Sequence, residues 1–362
     1  MKIVTVLGTR PEIIRLSLIM KKLDQLADKH IVVHSGQNFT HTLNGVFFKE
    51  LGIRKPDYIL ASEQQSLGEQ LSSLFVELEK ILIKEKPDKL LVLGDTNSGL
   101  SAILAERLMI PVVHMEAGNR CFDLNVPEEK NRKIIDAVSS FNLVYTPYSK
   151  NNLLMEGMTP SKIIITGNPI YEVLTHYEQQ INESSILDEL RLKQQDFFLA
   201  TIHRAENVDN PSHLSSIINA LNMVAEQYKK RIIFSTHPRT RSKLAAGIHL
   251  NPLIELHEPF GFFDFISLEK NAFCVLTDSG TVQEECCIFH VPAITVRKTT
   301  ERPETVDCGS NFISGLNENT ILNGVKVMCS KPANWIRPVE YLDENVSDKV
   351  INILLGGSEI VY

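Results

Sequence analysis

Long apolar runs are missing from this chain. No stretch of its 362 residues approaches the roughly eighteen consecutive apolar residues of a membrane-spanning helix. The start, MKIVTVLGTRPE, has neither the apolar region nor the cleavage site of a secretory signal, so a cytoplasmic protein without a membrane partner is expected. The six cysteines, Cys121, Cys274, Cys286, Cys287, Cys308 and Cys329, include no CxxC spacing, and in a large chain without a secretion signal they are expected as reduced thiols rather than disulfides or a zinc site. No HxH, HExxH or histidine–carboxylate grouping has metal-ligand spacing, and neither GxGxxG nor a Walker sequence occurs. No metal and no cofactor is therefore expected. With 37 Lys and Arg against 44 Asp and Glu, the net charge of −7 leaves no basic stripe for nucleic acid. An acidic chain can still bind a diphosphate, because helix N-termini and a few placed arginines create local positive potential.

What the chain does have is a repeated rhythm: a short apolar run, a polar turn, then a longer helical pattern. Strands are predicted near Lys2–Gly8, Ile31–Ser35, Leu90–Gly94, Val112–Met115, Leu143–Thr146 and Ile163–Thr166, and again near Phe197–Ile202, Ile232–Thr236, Ile254–His257, Cys274–Thr277 and Ala293–Val296. These runs are continuous rather than alternating, as expected of parallel strands covered by helices on both faces. Between them, Ser66–Lys84 carries Leu67, Leu71, Leu74, Phe75, Leu78 and Ile81 at helical spacing, and Leu214–Glu226 is a second helical pattern. The rhythm restarts near residue 195, after the charged stretch Asn182–Gln195. The fold class read from this is α/β, with two doubly wound, Rossmann-like domains facing one another across a cleft. The expected boundaries are 1–168, 169–345, and a C-terminal helix within 346–362, N-capped by Ser347, that crosses back to the first domain.

Open α/β sheets bind ligands beyond the carboxyl ends of their strands. The residues following the predicted strands are Gly8-Thr9-Arg10-Pro11-Glu12, Gly94-Asp95-Thr96-Asn97 and Glu116-Ala117-Gly118-Asn119-Arg120 in the first half, and His203-Arg204-Ala205-Glu206-Asn207, His237-Pro238-Arg239 and Asp278-Ser279-Gly280 in the second. One polar strand end means little; six of them nominate a site. Arg10 can reach a phosphate. Ser279 and Gly280 open a helix whose N-terminus suits a phosphate, Gly280 letting oxygens approach the main chain. Of the successive Glu284 and Glu285, about 100° apart on a helix, one can take ribose hydroxyls. Asp95, Glu116, Glu128 and Glu129 are the acid–base candidates, although a first-turn PEE is ordinarily surface. His203 and His237 are equally consistent with satisfied structural groups.

GTRPE at 8–12, GDT at 94–96, HMEAG at 114–118, PEEKNR at 127–132, HRAEN at 203–207, DSGTVQEE at 278–285 and TTERPE at 299–304 together resemble the non-hydrolysing UDP-N-acetylglucosamine 2-epimerases, collinearly over essentially the whole chain. The resemblance implies the two-domain fold of one large class of glycosyltransferases (GT-B-like), a homodimer, and interconversion of UDP-GlcNAc and UDP-ManNAc. The chemistry it implies is removal of the C2 proton, loss of UDP to leave a bound 2-acetamidoglucal, and re-addition. Inversion at C2 needs proton donors and acceptors on both faces of the sugar, hence several carboxylates. By position, Asp95, Glu116 and Glu128 form the acid–base set, and His203 and Arg10 contact the diphosphate or assist its departure. Arg15 and His237 fall among the substrate-binding residues, Ser279 and Gly280 bind phosphate, and Glu285 binds ribose.

The sequence departs from this pattern in places. Arg15 stands where the resemblance leads one to expect lysine, and the two are not interchangeable at tight sites. Gly36–His41 and Glu63–Ser66 differ from the regions that form an activator site for a second UDP-GlcNAc in many bacterial members, so activation of that kind is not expected. The short Glu116–Glu128 segment looks closer to a sub-branch acting on UDP-2-acetamido-2,6-dideoxy-L-talose to give the fucose configuration. A hydrolysing 2-epimerase, a glycosyltransferase of the same fold and a UDP-sugar sensor are the other readings.

Overall fold

The computed structural model describes residues 1–36, 45–60, 66–244 and 249–357. Residues 37–41 and 63–65, on which most of the activator-site expectation falls, lie outside the described residues. The chain divides into two compact units, Met1–Thr175 with Val339–Tyr362, and His176–Pro338.

The first unit holds seven strands: β1 (Lys2–Leu7), β2 (Lys29–His34), β3 (Tyr58–Ile59), β4 (Lys89–Leu93), β5 (Val112–Met115), β6 (Phe141–Val144) and β7 (Ile163–Ile165). They are all parallel and ordered β3-β2-β1-β4-β5-β6-β7. The second unit holds β8 (Phe197–Thr201), β9 (Arg231–Ser235), β10 (Ile254–His257), β11 (Cys274–Thr277), β12 (Ala293–Thr295) and β13 (Asn311–Ile313), all parallel and ordered β10-β9-β8-β11-β12-β13. Both are doubly wound Rossmann-like sheets, as the continuous apolar runs predict. β4, β5, β8 and β11 are buried at every position, which is why they show no alternation. Two strands were not predicted, β3 and β13; both sit at sheet edges and are two and three residues long, too short to carry a periodicity.

Helices cover each sheet through their apolar faces. The Leu67–Glu85 helix seats Leu74, Leu78, Ile81 and Leu82 against Val4, Val6, Leu90 and Val92. It starts at Ser66 because Ser66 Oγ accepts from Glu69 N at 3.2 Å while the Glu69 carboxylate accepts from Ser66 N at 3.0 Å. In the second unit the Pro211–Tyr228 helix seats Leu214, Ile217, Leu221 and Val224 in the core with Phe198, Ile232 and Phe234. The C-terminal helix runs Val346–Leu355 and packs on the Arg10–Leu26 helix of the same unit. Its N-cap is Asn345, not Ser347. Ser347 lies inside the first turn, where its N–H and hydroxyl both donate to Glu172, so a carboxylate from a neighbouring helix satisfies that terminus.

Candidate active site

Each sheet reverses strand order once, between β1 and β4 in the first unit and between β8 and β11 in the second. In each unit, a buried carboxylate joins the two loops that leave this switch point.

In the first unit that carboxylate is Glu12, third residue of the Arg10–Leu26 helix and 2% exposed. Its Oε2 accepts from Gly8 N at 2.7 Å and Thr9 N at 2.6 Å, and its Oε1 accepts from Thr96 Oγ1 at 2.8 Å. The turn bearing Arg10 is thereby tied to the loop bearing Asp95. Burial pushes the Glu12 carboxyl up to about 7, against hydrogen bonds that favour its charged form. Arg10 opens the helix, half-buried, with its guanidinium 5.6 Å from the Phe47 ring centre.

Asp95 and Glu116 each face an arginine. Arg132 donates to Asp95 Oδ2, while Asn131 Nδ2 donates to the Asp95 carbonyl at 2.9 Å. Arg15 donates to Glu116 Oε2, and Tyr145 Oη donates to the same oxygen at 3.3 Å. Arg15 is 1% exposed and lies over the Tyr145 ring at 5.6 Å, so in this structure its charge is spent on Glu116. Glu116 itself has φ +65°, a left-handed conformation for a non-glycine residue at the end of β5. Such a conformation costs on the order of 1–3 kcal/mol and persists only where the surroundings over-determine it. Glu128 is half-buried in the first turn of the Pro127–Val138 helix.

That helix is far from a solvated surface element. Glu129, Arg132 and Asp136 are 0%, 2% and 1% exposed. Their spacing of three and four places them on one helix face. Glu129 accepts from Cys121 N at 3.0 Å and Phe122 N at 3.1 Å, and takes Arg132 at 2.9 Å. Asp136 meets His114, Gly118 and Arg120. The alternation of acid, base and acid along this face was legible as a pattern, but a PEE at a helix start reads as surface when its partners, far away in sequence, are unseen.

In the second unit the stitching carboxylate is Asp278, 0% exposed. It accepts from His203 N at 3.1 Å, Arg204 N at 2.9 Å and Asn207 Nδ2 at 3.0 Å. His203 Nδ1 lies 3.2 Å from Asp278 Oδ1, and the ring is 41% exposed. His237 follows β9, half-buried. Ser279 caps the Gly280–Phe289 helix, its N–H donating to Thr277 Oγ1 at 3.0 Å and its hydroxyl 3.0 Å from Thr281 Oγ1.

The absent Cβ of Gly280 has a use the sequence did not reveal. A Cβ there would lie 2.5 Å from Glu301 Oε1. Glu301 is held by Arg297 at 2.9 Å and Arg204 at 3.3 Å. Of the two successive glutamates, Glu284 is 0% exposed and ion-paired with Arg302. Glu285 is 5% exposed, on the side of Glu269, whose carboxyl burial and the Glu285 charge push well up. Arg132, Asp136 and Glu301 are supports of the site that the sequence pattern does not single out; Glu12, Arg204 and Asp278 stand in the strand-end segments without a role assigned to them, and Glu129, an acid–base candidate by sequence, is instead buried as a partner of Arg132. Among the described residues no group of three or more His, Cys, Asp or Glu is placed to hold a metal ion, and all six cysteines are free thiols. No described helix is long and apolar enough to cross a membrane.

The family model for UDP-N-acetylglucosamine 2-epimerase matches residues 21–355. A UDP-N-acetylglucosamine 2-epimerase of Methanocaldococcus jannaschii is 41% identical over 99% of this chain and 100% of its own length. A UDP-2,3-diacetamido-2,3-dideoxy-D-glucuronate 2-epimerase of Pseudomonas aeruginosa is 36% identical over 91% of this chain and 93% of its own. The crystal structure of the M. jannaschii UDP-GlcNAc 2-epimerase in complex with UDP-GlcNAc and UDP superposes with a TM-score of 0.93 at 41% identity, over 99% of this chain and 100% of that one. A glycosyltransferase involved in lipopolysaccharide biosynthesis, WaaG, matches at a TM-score of 0.63 and 12% identity over 98% and 100% of the two chains, a likeness of fold alone. With this coverage and identity, the chain belongs to the UDP-N-acetylglucosamine 2-epimerase family.

Proposed function

We propose that this protein interconverts UDP-GlcNAc and UDP-ManNAc without hydrolysis, by removing the C2 proton, eliminating UDP to a bound 2-acetamidoglucal and adding UDP back. One observation carries this reading: Asp95 and Glu116, at the ends of adjacent strands β4 and β5, each hold a buried arginine and are backed by the helix that also presents Glu128. A set of carboxylates with fixed counter-ions suits proton removal from one face of a sugar and return on the other. Asp95, Glu116 and Glu128 are the acid–base set, and His203 and Arg10 serve the departing diphosphate. Ser279, Gly280 and Glu285 seat UDP, with Arg15 and His237 completing the binding residues. The acid–base work falls to the first unit and UDP binding to the second. A cytoplasmic homodimer completes the reading and is checked by cell fractionation and light scattering.

The test is proton NMR in D₂O. Deuterium appearing at C2 of intact UDP-sugar, with both epimers formed, is the expected result. Release of free sugar and UDP would instead identify a hydrolase. Asp95→Asn, Glu116→Gln and Glu128→Gln abolish epimerisation while UDP still binds; full activity in all three would refute the assignment. The 36% identical relative is named for a different UDP-sugar, so the same assay is run with the 6-deoxy substrate UDP-2-acetamido-2,6-dideoxy-L-talose. Faster turnover there would transfer the same C2 chemistry to that sugar.

A further inference from the structure

We infer that Asp136 is a positioning residue for the proton-transfer step, fixing Glu116 and Asp95 relative to one another; this rests on the epimerase reading above. Asp136 sits two turns into the Pro127–Val138 helix and contacts no part of the proposed acid–base set directly. It is 1% exposed; its carboxylate touches the loop after β5 directly and the loop after β4 through the His114 ring. Toward the loop after β5, Oδ2 lies 2.7 Å from Arg120 Nη1 and accepts from Gly118 N at 3.2 Å. Toward the loop after β4, Oδ1 lies 2.9 Å from His114 Nδ1, and the opposite ring nitrogen, Nε2, donates to the Gly94 carbonyl at 2.9 Å.

Each contact falls beside a residue that must be placed accurately. Gly118 is two residues from Glu116, and both have positive φ, +76° and +65°. Glycine adopts such a φ freely, but Glu116 does not, and its left-handed conformation persists only where the surroundings hold it. Asp136 is part of that hold: it takes the Gly118 N–H, and it shares with Glu156 the pairing of Arg120, whose Nη1 also donates to the Asn119 carbonyl at 2.8 Å. Asn119 Nδ2 in turn donates to Glu116 Oε1 at 3.4 Å. Gly94 immediately precedes Asp95 and also has positive φ, +76°. One buried carboxylate therefore braces one irregular turn directly and a second through His114, and the same helix carries Glu128 and the Arg132 that binds Asp95.

Misplacement of a proton-transfer group by about 1 Å costs on the order of a hundredfold in rate. The test is Asp136→Asn, which keeps the shape and removes the charge facing Arg120 and His114. In D₂O with UDP-GlcNAc, kcat is expected to fall by about ten- to a hundredfold with KM within about threefold of wild type. The ratio of deuterium incorporated into recovered substrate to product formed is expected to change as well. A purely structural role would lower the amount of active enzyme and leave that ratio unchanged. Should the Asn variant not fold, His114→Gln severs only the arm to Gly94 and is expected to shift the same ratio. An unchanged ratio, in Asp136→Asn or in its stead His114→Gln, overturns the inference. If wild type itself exchanges no C2 proton, the epimerase reading has failed instead.

Discussion

Glu12 allows the sharpest quantitative test. Its carboxyl is raised from 4.5 to about 7 by burial, while three hydrogen bonds oppose the shift. At about 1.4 kcal/mol per pH unit of pKa difference, the shift corresponds to about 3 kcal/mol. Because the folded pKa lies above the unfolded one, the native state binds the extra proton. The stabilisation is complete below pH 4.5 and is lost as pH rises through about 7. Glu12→Gln removes this titration and preserves the geometry: the amide oxygen still accepts from Gly8 N and Thr9 N, and the amide nitrogen can donate to Thr96 Oγ1. The stability of Glu12→Gln relative to wild type should therefore improve by about 3 kcal/mol between pH 4.5 and pH 8. For a unit of this size that is a relative rise of about 6–12 °C in Tm. Thermal unfolding of both proteins at half-unit pH steps measures it. Two curves that stay parallel across the window would refute the argument that Glu12 is buried as an acid at the switch point.

Gly118→Ala should be among the most damaging single-atom additions in the first unit. Its φ is +76° and the new Cβ would lie 2.3 Å from the Ser149 carbonyl oxygen, a backbone atom, so a loss of about 2–4 kcal/mol in denaturant unfolding is expected. Gly280→Ala should instead act on the nucleotide: the Cβ displaces Glu301 from Arg297 and Arg204, and UDP affinity by calorimetry is expected to fall at least about tenfold. Cys287 and Cys308 have sulfurs 3.6 Å apart, and the hydrogen bond from Cys287 lowers the Cys308 thiol to about 6. Diamide should therefore link this pair before any other, read by a non-reducing peptide map.

Much of the fold is legible in the chain because parallel strands must bury both faces. Runs such as Leu90–Leu93 and Cys274–Thr277 announce themselves without partners, as does the turn chemistry that follows them. The edge strands β3 and β13 do not, being too short for any pattern. Among the candidate site residues, Asp95, Glu116 and His203 are visible because they stand at strand ends, where a doubly wound sheet leaves room for a ligand. Their supports are not. Asp136 and Arg132 lie on a helix whose first turn reads as solvated, and Glu12 shows in the sequence only as the last residue of a strand-end turn.

Sequence alone determined the class of sheet, the points where loops leave it, and through the collinear motifs the family. Only the tertiary structure decided which charges are buried and which partner each one has. Arg15 is drawn to Glu116, Glu284 to Arg302 and Asp278 to His203 across separations of a hundred, eighteen and seventy-five residues or so. Desolvation is a property of the assembled unit, not of any segment, so the physical state of a carboxylate such as Glu12 exists only once the sheet has closed around it.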